Sequence, residues 1–325
     1  MRRILVTGGA GFVGRNMIKA LRARREPMQI ISVDLEGMWV DYDLTHPAAH
    51  LHIIQDMHRY LRVDRAESER FDLVVHCAYH VGGRATIDSS KTNLAKNLAL
   101  DAALFDWAVA TGQPRVLYFS SPAAYPTWMQ QEERFQEVMR EQSVAGLMEH
   151  FAGGGEPDAD YGWAKLTGER LATNAKNAGV NVHIVRPFSG YGADQSEDYP
   201  FPAILARARE GDLSVWGPPG QTRDWIHIDD VCEGALAVVD ADFQEPVNLC
   251  TGRGVEMGQL ARTMWHIINT SDTCSTECEH GDAPKVVYDE SKPTGVMYRV
   301  GDPTLMNTIY TAKISLEEGI RRALQ

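Results

Sequence analysis

Short apolar runs alternate with longer amphipathic stretches through roughly the first 190 residues of the chain. RILVT (3–7) reads as a strand buried on both faces, GGAGFVG as a turn, RNMIKALRARR as a helix and QIISVDL as a second strand. Further strand runs fall at FDLVVHCAY (71–79), RVLYFSS (115–121) and VNVHIVRPF (180–188), and the helical pattern NLAKNLALDAALFDWAVATG closes at Gly112. Strands alternating with helices predict an α/β protein with a doubly wound parallel sheet and a ligand crevice at the carboxyl ends of its strands. Beyond residue 188 the alternation weakens and Gly and Pro cluster. This predicts a first domain over 1–188, to which 224–250 returns, and a smaller mixed α/β lobe from 189–223 and 251–325. The charged stretch MQQEERFQEVMREQ, ending in GGGEPDAD, reads either as a lid or as a solvated surface insertion.

Composition narrows the picture. At 325 residues, 44% hydrophobic and 23% charged, the chain can build a substantial core. No run offers the roughly 18 apolar residues of a membrane span, and glycines interrupt the N-terminal apolar run too early for a secretory signal, so a cytoplasmic protein is expected. Five cysteines at scattered positions argue against a disulfide framework, and Cys274 with Cys278 lacks two further ligands at zinc spacing, so no metal is expected. A net charge of −12 disfavours nucleic acid and leaves any anionic ligand to local arginines or helix N-termini.

Gly8, Gly11 and Gly14 stand at the strand-to-helix turn, where bare backbone lets a pyrophosphate approach a helix N-terminus. Asp34 follows 20 residues after Gly14, at the end of the second strand, placed to accept from ribose hydroxyls. A carboxylate there repels a 2′-phosphate, which favours NAD over NADP. Arg24 and Arg25 sit late in the helix and are read as serving its C-terminal end. In DYGWAKLTGERLA, Tyr161 and Lys165 are four apart and share a helix face. A nearby ammonium and an oxidised nicotinamide both favour phenolate, which makes the tyrosine a usable proton acceptor.

TGGAGFVG, HCAYHVGG, Asn97, FSSPAAYP, YGWAK, RPFSGYG, QTRDWIHIDDV and VNLCTG occur in the order and spacing of a known group. Nearly the whole chain resembles the extended short-chain dehydrogenase/reductases that act on nucleotide sugars, with local features of the GDP-mannose 3,5-epimerase and GDP-fucose synthase branch. The resemblance implies a Rossmann-type fold, bound NAD, a nucleotide-diphosphate sugar as substrate and a homodimer built through a helix bundle. It makes Ser121 the catalytic hydroxyl, Tyr161 the base and Lys165 its partner. Cofactor contacts are implied at Phe12, Val13, Asp56 (to adenine), Met57, Ala78, Tyr79, Asn97 and Pro187. Substrate contacts are implied at His80, Gly82, Gly83, Ser189, Arg223 (to the diphosphate) and Arg299, the last with Asp302 resembling the C-terminal Arg and Asp of the GDP-mannose epimerases.

The same resemblance says which groups are missing. The residues after Ser121 that serve dehydratases as Asp and Glu are Pro122 and Ala123, neither of which moves a proton. The cysteine of the double epimerases is also Ala123, and the match to its proton partner is Tyr199. His80 is either a single base for C3 or C5 or a structural histidine. Ser189 replaces an asparagine, so the substrate is expected to be unusual. Ser, Tyr, Lys and NAD suffice for C4 epimerisation, which is the expected activity. A keto-sugar-nucleotide reductase is the alternative, opposed by Asp34, and a non-catalytic dinucleotide sensor is opposed by the retention of Tyr161 and Lys165.

Overall fold

The computed structural model describes residues 1–35, 51–61, 70–133, 139–141, 156–269 and 284–325. Six strands open the chain: β1 (Arg2–Thr7), β2 (Met28–Asp34), β3 (Leu51–Ile54), β4 (Leu73–His76), β5 (Arg115–Phe119) and β6 (Asn181–Pro187). They form one parallel sheet in the order β3-β2-β1-β4-β5-β6, extended beyond β6 by Val247–Leu249. The apolar runs are explained by burial on both faces. Along β1, Ile4 and Val6 enter the core beneath the helices Phe12–Ala23 and Ile228–Asp240, while Leu5 enters the opposite core beneath Asn93–Ala110 and Ala159–Asn177. β1 lies between β2 and β4, so the chain leaves it on both sides and opens a crevice above Gly8.

The smaller lobe is built on the strand Thr222–His227. It pairs in parallel with Ser189–Tyr191 and Tyr298–Arg299 and antiparallel with Gly254–Glu256. The helices Pro200–Arg209, Met257–Asn269 and Leu316–Leu324 pack around a separate core that includes Phe201, Trp225 and Leu260. The segment from 224 serves both lobes: Asp224–His227 pairs within the small sheet, while Ile226 and the helix from Ile228 pack into the core of the large one. The first helix starts at Phe12 rather than Arg15, with Gly11 as its N-cap. β3 is an addition, a four-residue edge strand whose half-exposed pattern carries no clear period. Of the charged stretch after Pro126, a 3₁₀ turn at Thr127–Gln130 is seen, and most of the remainder up to residue 155 lies outside the described residues, as do Cys274 and Cys278. Among the described residues no helix is long and apolar enough to cross a membrane.

Candidate active site

At the end of β1, Gly8 adopts φ +70°, and a Cβ there would lie 2.4 Å from the Ala78 backbone nitrogen. A side chain is excluded by both strain and contact, and the turn delivers the chain to the helix start at Phe12. Asp34 accepts from the Ala10 amide at 2.9 Å and the Leu35 amide at 2.8 Å, so its carboxylate is fixed against the glycine turn. Burial raises its pKa, and the amides of Leu35, Ala10 and Gly11 oppose that shift. The carboxylate keeps acceptor capacity beyond these amides for a ribose hydroxyl. A backbone cradle, a helix N-terminus and a fixed carboxylate together fit a dinucleotide.

The flanking residues take less uniform places. Phe12 and Val13 are half-buried at the helix start, Pro187 ends β6, and Asp56 caps the next short helix through the His58 and Arg59 amides, with Met57 buried behind it. Asn97 spends its side chain on His80, accepting from the His80 amide at 2.7 Å and donating to its carbonyl at 3.0 Å. It shapes the loop after β4. Tyr79, for which the resemblance implies a cofactor contact, turns its ring under Lys165 and its hydroxyl into the core.

The catalytic side chains meet because two loops are locked together. Ser121 lies two residues beyond β5 as the N-cap of a 3₁₀ turn, and its hydroxyl accepts from the Ala123 amide at 3.1 Å. The Ala123 carbonyl in turn accepts from Asp158, the N-cap of the helix Ala159–Asn177, at 2.9 Å. Gly162 permits this approach, since a Cβ there would meet the Ala123 carbonyl at 2.3 Å. Tyr161 in the helix's first turn is thereby brought near Ser121. Burial raises the Tyr161 pKa, while Ser121 and the charge of Arg299 pull it down. Lys165, one turn on and 5% exposed, donates to the Phe119 carbonyl at 2.7 Å. Its ammonium lies 5.9 Å from the centre of the Tyr161 ring but 3.3 Å from that of Tyr79. The aromatic ring nearest the lysine is thus Tyr79 rather than Tyr161. Burial brings Lys165 down to about 8.

A cavity of about 590 Å³ opens above Tyr161 and runs between the lobes. Gly82, Gly83, Ser189 and Tyr199 line its walls, together with Arg84, Asp158, Arg223 and Arg299; His80 is not part of this lining. Burial and the charge of Lys96 lower the His80 pKa, with Asp56 opposing, so the imidazole is neutral near pH 7. Asp158 holds Arg84 at 2.8 Å and Arg299 at 2.6 Å. Arg223 is 8% exposed and hydrogen-bonds the Thr222 carbonyl; among the described residues no carboxylate lies within ion-pair distance of it. Burial, then Arg299, brings it down to about 9. Arg84 also pairs with Asp88 at 2.9 Å, so the three guanidinium groups share two carboxylates, and Arg223 is the cation left to answer an anionic ligand. Asp302 stands apart from this group and pairs with Arg140 at 2.6 Å.

Residues 4–250 match the model of the NAD dependent epimerase/dehydratase family. The chain belongs to this family. It is similar to GDP-mannose 3,5-epimerase 1 of Oryza sativa subsp. indica, 26% identical over 330 residues that cover 98% of this chain and 80% of that protein. It is also similar to GDP-L-fucose synthase of Sinorhizobium fredii, 25% identical over 100% of this chain and 95% of the other. Among solved structures, the UDP-glucose 4-epimerase of Thermotoga maritima superposes with a TM-score of 0.74 at 22% identity, covering 99% of this chain and 97% of that one, which is a likeness of fold.

NAD is the cofactor of the epimerase/dehydratase family, and the glycine turn and Asp34 are the residues here that would hold it. Two side chains escaped the sequence reading. Arg84 opens a short helix after Gly83, and Asp158 lies within an acidic, glycine-rich run. Neither belongs to a motif, and the contact between them spans 74 residues. The one available signal was that a chain of net charge −12 must gather arginines to hold an anion.

Proposed function

We propose that the protein is an NAD-dependent nucleotide-sugar epimerase, acting on a GDP-linked hexose and inverting C4 through a transient 4-keto sugar. The observation that carries this reading is the single cavity joining Tyr161 to Arg84, Arg223 and Arg299. A diphosphate at the arginines places its sugar toward the tyrosine. The GDP-sugar names of the relatives support the choice of nucleotide.

Tyr161 takes the proton of the C4 hydroxyl, and the Ser121 hydroxyl holds the same oxygen. NAD held at the Gly8 turn and Asp34 would supply the hydride acceptor, and later the donor, for C4. Tyr161 then gives its proton back. No second base is required, which agrees with Pro122, Ala123 and Ala124 forming the turn after Ser121. Tyr199 adds a phenol to the same cavity; burial raises its pKa with nothing opposing the rise, whereas Ser121 and Arg299 oppose it at Tyr161, so Tyr199 is the poorer base.

The test is a panel of GDP-, UDP-, dTDP- and CDP-hexoses incubated with the protein in deuterated water and read by NMR. Inversion at C4 without solvent label is expected. Deuterium at C3 or C5 would replace this reading with an enolising epimerase, and no conversion of any sugar would overturn it. A keto-sugar reductase is the second reading, favoured by the likeness to GDP-L-fucose synthase and to the dTDP-4-dehydro-6-deoxy-D-allose reductase of Streptomyces bikiniensis, 25% identical over 95% of this chain. Steady oxidation of NADPH by a 4-keto sugar nucleotide would establish it. Asp34 weighs against it, because its carboxylate opposes a 2′-phosphate.

A further inference from the structure

Behind Tyr161 and Lys165 lies a row of buried polar groups that the reaction above does not use. The Lys165 ammonium faces the Tyr79 ring at 3.3 Å, and Tyr161 meets the same ring edge-on, with centroids 5.9 Å apart at 84°. The Tyr79 hydroxyl is buried, faces that of Tyr118 and makes no hydrogen bond of ordinary geometry among the described residues. Tyr118 donates to Asp101 at 2.7 Å, His76 Nε2 lies 3.1 Å from the other Asp101 oxygen, and His76 Nδ1 lies 2.7 Å from the Thr7 hydroxyl. Thr7, His76, Asp101 and Tyr118 are each at most 2% exposed.

The catalytic helix is pressed against this row with no side chain between. At Gly168 a Cβ would lie 1.8 Å from the Tyr118 hydroxyl and 2.5 Å from the Asp101 carboxylate. A carboxylate so deeply buried is costly unless a cation answers it. Glu169, the other buried carboxylate near Lys165, already pairs with Arg186 at 2.7 Å. Asp101 is left with the His76 imidazole and, across the rings of Tyr118 and Tyr79, the Lys165 ammonium.

We propose that Tyr79 and Asp101 are positioning residues for Lys165. The Tyr79 ring seats the ammonium by its face, and the Asp101 carboxylate holds the lysine's proton, keeping it charged where Tyr161 works. The aromatic face attracts the cation through its quadrupole, an effect that grows when water is excluded. The groups that face Lys165 are Asp101 from the helix Asn93–Ala110, Cys77 and Tyr79 from the segment after β4, Tyr118 and the Phe119 carbonyl from β5, and Tyr161 and Glu169 from its own helix. Burial lowers the lysine, and Asp101 leads the upward pulls, ahead of Cys77 and Glu169.

The inference rests on Tyr161 and Lys165 carrying the proton chemistry proposed above, but its test needs no sugar. The lysine ε-carbons of ¹³C-labelled, NAD-saturated protein are titrated by NMR, with the Lys165 signal assigned through Lys165→Met. In Asp101→Asn the Lys165 midpoint is expected to fall by about one pH unit, the scale of one charge across a few aromatic carbons at the effective dielectric of a protein interior. In Tyr79→Leu it falls as well, whereas Tyr79→Phe, which keeps the ring, leaves it in place. A midpoint unmoved by Asp101→Asn would show that His76 alone neutralises the carboxylate and would overturn the proposal. Should Asp101→Asn not fold, the Tyr79 pair decides: equal midpoints in Leu and Phe variants overturn the seat. With a substrate from the NMR panel, the alkaline limb of the kcat/KM profile should move to lower pH by the same interval in Asp101→Asn. Failure of the panel to find a substrate would count against the proposed function and leave this titration standing.

Discussion

Replacing Lys165 by Met should make the protein more stable while removing its activity. The folded protein holds this lysine's proton less tightly than the unfolded chain does, with burial bringing it from 10.5 to about 8. At about 1.4 kcal/mol per pH unit, the buried charge costs about 3 kcal/mol. Methionine fills similar volume without charge but leaves the Phe119 carbonyl without its donor, a loss of about 1 kcal/mol. The net expectation at pH 7 is a gain of about 2 kcal/mol. The pH dependence fixes the sign. Below about pH 8 the lysine is charged in both states, and the cost is present in full. Between about 8 and 10.5 the folded protein releases the proton while the unfolded chain keeps it, so wild-type stability rises and the advantage of Met shrinks. Urea unfolding of both proteins, without cofactor or sugar, from pH 7 to 10 measures this gap, and other titrating groups cancel in the difference. A Met variant less stable than wild type at pH 7, or a gap that ignores pH, would refute the reasoning.

Tyr161→Phe should slow turnover at least about 10²-fold on whichever sugar the panel identifies, with NAD binding by calorimetry unchanged. Arg223→Ala should weaken binding of a nucleoside diphosphate at least about tenfold through loss of a charge-assisted contact, measured by calorimetry. Asp158→Asn should tighten binding of the same ligand, because the carboxylate now holding Arg84 and Arg299 competes with it; weaker binding would assign Asp158 a purely architectural role. Gly8→Ala should abolish NAD binding, since its Cβ has no room against Ala78.

What the sequence could show depended on the range of the contact involved. β1, the glycine turn and the first helix were legible because periodicity and glycine spacing are local signals. The pairing of Tyr161 with Lys165 on one face followed from helix geometry alone. β3 was hidden because a short edge strand need not alternate, and its LHII shows burial at no single face. Two arginines of the wall, Arg223 and Arg299, were implied by the resemblance, but Arg84 and Asp158 were not legible, because folding brings them together across 74 residues. The sequence also suggested that Lys165 addresses Tyr161 directly. The ring nearest its ammonium comes from a segment more than 80 residues earlier, and no spacing rule connects the two.

Arg299 and Arg223 are register partners on adjacent parallel strands, so the backbone itself holds two like charges side by side near the end of the chain. Of the two, Asp158 answers only Arg299, so the strand Tyr298–Arg299 is held beside an Arg223 that no carboxylate pairs among the described residues, and an anion that bridges the pair becomes part of the fold's fastening. Inorganic pyrophosphate alone should then slow proteolytic nicking between the strand and the final helix, even in protein whose catalytic tyrosine has been removed.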